Sequence, residues 1–155
     1  MKNTNLFKSL VIGIMVLTIV ACSKDDDPTA SVTVNGTALR TSPSDFTVGD
    51  QSDFNGDIDA SFTGNGGSTT RMFSWNNGLA TADYNADITT TAEGTFRMVV
   101  ADSAGEVVLD RSLNGAVEPD SFSGVTSAGA SGIWTVTITV GNFSGDGSFS
   151  LSEGN

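Results

Sequence analysis

The chain of 155 residues has no histidine, a single cysteine, three prolines and one tyrosine. Without histidine there is no Ser-His-Asp or Cys-His nucleophile pair and no histidine-containing zinc site. No Gly-x-Ser-x-Gly elbow occurs either. One cysteine excludes an intrachain disulfide, so a folded domain must rest on its core. Basic side chains are scarce, 7 against 18 acidic ones, for a formal net charge of −11. That balance argues against nucleic acid and against anionic headgroups, both of which are bound by neutralising phosphate with Lys and Arg. Long apolar runs are missing as well. The longest, Leu10 to Val20, is shorter than the ~20 residues that span a bilayer.

That short run has the layout of a secretory signal. Lys2 and Lys8 precede it, and the small residue Ala21 follows it. Ile19-Val20-Ala21-Cys22 resembles the lipobox of bacterial lipoproteins. The resemblance implies a diacylglyceryl group on the Cys22 sulfur, cleavage before Cys22 and acylation of the new amino terminus. Two or three acyl chains, at ~0.8 kcal/mol per buried CH₂, suffice for a stable anchor. Ser23-Lys24-Asp25-Asp26-Asp27 resembles the acidic signal that places lipoproteins of Bacteroidota on the outer face of the outer membrane. A solvated linker is the plain alternative. The expected organisation is a signal peptide over 1–21, an acylated, acidic tether over 22–30 and one domain over 31–155. Loss of Lys2 and Lys8 takes the mature net charge from −11 to −13. Such a charge keeps a surface protein soluble.

Beyond Pro28, helical signals are almost absent. Gly, Ser, Thr, Asn and Asp are dense, and β-branched residues alternate with polar ones. This predicts an all-β, antiparallel, jelly-roll-like β-sandwich of short strands. Val32 and Val34 lead into Asn35-Gly36, a type I′ hairpin signal. Further strands are expected at 46–48, 57–62, 71–75, 82–90, 95–101, 106–113, 133–140 and 147–151. Turns are expected at 64–68, 76–78, 127–132 and 142–147. In the hairpin around Asp102-Ser103-Ala104-Gly105, hydrophobicity selects a register with Val100 facing Val107, Met98 facing Leu109 and Arg97 facing Asp110 as an outward ion pair. The expected core is Phe73, Phe96, Met98, Val100, Val107, Leu109, Trp134, Val136, Ile138, Phe149 and Leu151. The stretch 132–138 followed by 144–151 resembles the last two strands of bacterial pre-peptidase C-terminal domains, small β-sandwiches attached to secreted enzymes. That resemblance implies a sandwich and little about activity.

Four candidate sites follow. Asp53, Asn55, Asp57 and Asp59 place oxygen ligands at alternate positions around Gly56, as a structural calcium ion requires. The glycine is not where an EF-hand loop has it, and an acidic turn is the alternative. The remaining enzymatic option is a carboxylate pair, and Asp57 and Asp59, ~7 Å apart on one strand face, fall within the range for glycoside hydrolysis. Trp75 and Tyr84 are the aromatics available to stack on a glycan, although Phe73 shares a strand face with Trp75, which suits a core. Asp102-Ser103-Ala104 resembles the short O-glycosylation motif of Bacteroidota, with Ser103 as acceptor at an accessible hairpin tip. Arg40 and Arg71 read as ion-paired. The chain is therefore expected to be a non-catalytic surface lipoprotein, held to the membrane by its lipid. It would act as an adhesive, glycan-contacting or protein-binding module. The alternative is an accessory or catalytic domain of polysaccharide breakdown.

Overall fold

A computed structural model describes residues 27–39 and 54–154. Cys22, Arg40, Asp53 and the strand expected at 46–48 lie outside the described residues. The described chain is all-β, with strands β1 (Ala30–Val34), β2 (Thr37–Ala38), β3 (Phe54–Asn55), β4 (Ile58–Asn77), β5 (Ala82–Ile88), β6 (Glu93–Ala101), β7 (Val107–Asn114), β8 (Ser121–Val125) and β9 (Gly132–Glu153). It is an antiparallel β-sandwich, with one short parallel pairing between β3 and β4.

Two long strands build both layers. The first half of β4 pairs with the second half of β9, and the second half of β4 with the first half of β9. One layer therefore has the order β2-β1-β4-β9-β5-β8 and the other β3-β4-β9-β6-β7. We call them the β5 layer and the β6 layer. The fold line crosses 64–67 of β4 and 141–145 of β9, where the ladder shifts register at Asn65/Gly67 and Gly67/Thr69. One extra residue sits in each strand there, at Gly66 (φ +97°) and around Asn142 (φ +46°). Bulges of this kind bend a strand pair sharply. They also flip the alternation. Ile58, Ala60 and Phe62 point inward before the bulge, and Arg71, Phe73, Trp75 and Asn77 after it. Both halves of each strand thus serve one core.

The segments expected as turns at 64–68 and 142–147 are instead interior bulges of two strands. Taken locally, a glycine-rich segment predicts a chain reversal. In the fold the two glycine-rich segments lie opposite one another, Gly64 to Gly145 and Phe62 to Gly147, and bend together. The close packing needs them. A Cβ at Gly147 would come within 2.4 Å of the Phe62 ring and 2.6 Å of the Asp87 carbonyl.

The core lies between the layers. Phe62 stacks on Phe96 at 4.4 Å, and Phe149 contacts Phe73 and Phe96, each pair bridging the two layers. Trp75 and Trp134 meet edge to face at 5.9 Å with no exposed surface. Of the expected core only Val107 is misplaced, being 60 % exposed. The hairpin register accounts for this. Val100 pairs with Leu109 and Ala101 with Val107, so Val108 is a bulge and turns inward beside Leu109. Arg97 then faces Ser112, and its ion pair with Asp110 is diagonal, with both bonds at 2.6–2.7 Å. Asn35-Gly36 forms the expected hairpin turn, with φ of +46° and +78°. Strand β8 was not expected. Its Ser-Phe-Ser-Gly-Val sequence offers one inward side chain, Phe122, which packs on Tyr84 and Phe96 under the Arg111 guanidinium.

Candidate functional site

The sandwich has two poles. The fold line forms one, and the chain enters there. Thr29 N–H donates to Asn65 Oδ1 at 2.5 Å, and Asn65 N–H returns a bond to the Thr29 carbonyl at 3.1 Å. The far pole carries the hairpin turns at 35–36, 78–81 and 102–105 and the loop 126–131.

At the far pole Asp102 ties two loops together. Its side chain is only 6 % exposed. The carboxylate accepts N–H bonds from Ala104 (2.9 Å), Glu106 (2.9 Å) and Ala130 (2.7 Å). Donation from Ala130, then from Glu106, holds its pKa below the usual carboxylate value. Ser103 is exposed, as a modification site must be, but its hydroxyl donates to the Ala130 and Ser131 carbonyls at 3.2 and 2.7 Å. Asp102, read from sequence as part of an acceptor motif, is thus the clamp of this pole. The missing signal was the partner loop, which lies nearly thirty residues downstream.

The oxygen-rich turn lies at the same pole. Asn55 is on β3 in the β6 layer and faces Asn76, whereas Asp59 is on β4 in the β5 layer. Asp57 lies between them, where the chain crosses from one layer to the other. Asn35 organises the turn. Its side-chain amide bonds the Asp57 carbonyl at 3.1 Å and the Asp59 N–H at 2.8 Å. Gly56 contributes its carbonyl to the Trp75 indole N–H at 2.7 Å. Asp57 and Asp59 are both exposed. Among the described residues no three acidic side chains converge as a metal site, and Asp53 lies outside them.

The two aromatics proposed for glycan stacking are placed otherwise. Trp75 is fully buried and Tyr84 nearly so, and they present no ring face to solvent. Every aromatic side chain among the described residues is buried. The physical reason is composition. A sandwich with few aromatic side chains packs them between its two layers, while aliphatic ones such as Leu79, Val117 and Val125 stay exposed. Arg71 is also an inward residue. Its guanidinium donates to the Leu39 carbonyl at 3.2 Å and the Thr70 carbonyl at 3.0 Å, and burial lowers its pKa. A small cavity of about 90 Å³ lies at the fold-line pole, bordered by Thr89, Asn114, Glu118 and Asp120.

The outer faces of the two layers differ sharply. The β5 layer presents Asp59, Asp83, Asp87 and Asp146 among Ser61, Ser121, Ser123, Ser148 and Ser150. No Lys or Arg stands in those rows. The β6 layer presents Thr135, Thr137 and Thr139 on β9, flanked by Thr70 and Met72 on β4 and by Val99 and Ala101 on β6. Ile133 and Val107 extend this surface at its far-pole end and are 45 % and 60 % exposed. The charges within these rows are Arg97 and Asp110, paired with one another. Alternation in 133–140 identified the threonine row. The neighbours of that row depend on strand order, which alternation does not contain.

Comparison with protein-family models, curated protein sequences and solved structures returns no match to the chain.

Proposed function

We infer that the chain is a lipid-anchored lipoprotein of the outer membrane, facing outward, whose sandwich is a non-catalytic binding or structural module. The observation that carries this reading is Ile19-Val20-Ala21-Cys22 followed by Asp25-Asp26-Asp27. The geometry of entry supports it. Six residues lie between Cys22 and Thr29, seven backbone steps with a reach of at most ~25 Å when fully extended. Anchored at Cys22, the sandwich would stand on its fold-line pole with the Asp102 clamp and the hairpin turns directed away from the lipid. The binding class is favoured over the catalytic one because Asp57, on a turn, and Asp59, on β4, are both exposed rather than set in a cleft. A protein partner is favoured over a glycan because the aromatic rings on which sugars stack are buried.

The test is Cys22→Ala. In wild-type cells a fed fatty acid should label the protein, and protease added to intact cells should remove the sandwich. The variant should lose the label and leave the membrane fraction. An unlabelled wild type, or a variant that stays membrane-bound, would overturn the anchor. Replacing Asp25, Asp26 and Asp27 by Ala should leave the label and abolish protease access. Unchanged access would overturn the outward orientation alone.

A further inference from the structure

We propose that the outer face of the β6 layer is a homotypic interface, on which a second copy of this chain packs sheet to sheet about a two-fold axis. The proposal goes beyond the anchoring argument and stands or falls independently of it.

The occupant follows from charge and from self-complementarity. The chain carries −11 overall, and among the described residues the β5 layer's face holds four aspartates and no Lys or Arg. Two copies approaching by that face repel one another. On the β6 layer's face the two charges cancel within one bidentate pair. A two-fold interface brings the same patch to itself, so its groups must be able to pair with their own kind. Threonine hydroxyls meet this condition, being both donors and acceptors. Thr70 and Thr139 already exchange such a bond across the ladder at 3.2 Å. Val99 and Ile133 supply apolar contact between the threonines. A strongly basic partner would find no net charge here.

The area is adequate for association that is reversible. Four strands at ~4.8 Å spacing and about eight residues at ~3.3 Å rise give a face of roughly 500 Å², β3 adding only two residues. A pair of copies would bury about 1,000 Å², in the range of weak, transient interfaces. Membrane anchoring would make even this weak contact effective, by holding copies in one plane at high local concentration.

The experiment uses the full-length chain, purified in detergent and also in intact cells. Sedimentation should give a dimer whose fraction rises with concentration. Thr137→Cys, at the centre of the face, should cross-link to twice the mass with a bis-maleimide spanning the ~10 Å between packed sheets. Wild type, which retains Cys22, and Ser148→Cys, on the acidic face, should not. Thr137→Asp should weaken dimerisation at least about tenfold with its melting temperature retained. Val99→Lys serves the same purpose should Thr137→Asp lower stability. A monomeric wild type that also gives no cross-link through position 137 would overturn the proposal, whatever else binds the face. Equal cross-linking through position 148 would overturn it too, by placing the contact elsewhere.

Discussion

The two layers share two strands and one core, yet their outer faces have opposite character. The face of the β5 layer gathers four aspartates among serines, with Thr63, Asn85 and Val125 beside them. That of the β6 layer sets its threonine row among Met72, Ser74, Val99 and Ala101, with charge in these rows confined to the Arg97–Asp110 pair. Since β4 and β9 run through both layers, the contrast exists within single strands. In β9, Thr135, Thr137 and Thr139 face out before the bulge, and Asp146, Ser148 and Ser150 after it. A solvated face tolerates any polar residue, so the concentration of charge on one side and its near absence on the other is information about surroundings, not about folding. Stability is indifferent to it because outward substitutions change free energy little, usually by under ~0.5 kcal/mol.

The largest effects should therefore come from the inner side and should ignore the contrast. Trp134, facing the core from the β6 layer, and Phe149, facing it from the β5 layer, are both at most 1 % exposed. Trp134→Ala and Phe149→Ala should each cost ~3–5 kcal/mol, from lost burial and the cavity left. Denaturant titration measures both. If one costs under ~1 kcal/mol, the layers do not share a single core.

Next in size is the fold line. Gly147→Ala puts a methyl group against the Phe62 ring and the Asp87 backbone. Overpacking of this kind costs ~1–3 kcal/mol. Gly36→Ala meets no atom within 4 Å, although its φ of +78° still favours glycine. It should cost less than Gly147→Ala, ~1 kcal/mol by loss of the left-handed residue. Equal midpoints for the two variants would show that the bend yields to a side chain.

Acid should act on the far pole. The folded-state pKa of Asp102 lies below its unfolded value. Its contribution to stability is then fully present above the ordinary carboxylate range near ~3.9 and is lost as pH falls from there through the folded value. The melting temperature should drop across that window, and Asp102→Asn should lower it at neutral pH while flattening the drop. A variant whose acid profile superimposes on wild type would remove Asp102 as the clamp. Asp110, held low by its bonds from Arg97, contributes in the same direction but is exposed, so salt should erode its share.

The smallest effect sharpens the comparison directly. Replacing Asp83 and Asp87 by Asn removes two of the four like charges on one face. At low salt it should raise stability, by under ~0.5 kcal/mol, and the gain should vanish at high salt. A loss of stability would mean that those carboxylates have partners.

Sequence by itself determined which residues point inward along each strand, because alternation is fixed by the pleat. It placed Phe96, Met98, Trp134, Val136, Ile138 and Phe149 in the core, and it identified the hairpin at Asn35-Gly36, whose positive φ values few residues tolerate. Its one misplaced core residue, Val107, marks the limit. A bulge at Val108 changes the phase, and nothing local announces a bulge. Glycine-rich stretches are equally ambiguous, since a turn and a paired bend use the same residue for the same φ. Whether 64–68 and 142–147 reverse the chain or fold a strand pair depends on their lying opposite each other, eighty residues apart. Tertiary structure alone decided that, as it decided the burial of Trp75 and Tyr84 and the bonds that make Asp102 a clamp. The character of a face is settled the same way. Each strand contributes one row of side chains, and only the order of strands, set by long-range pairing, decides which rows stand together.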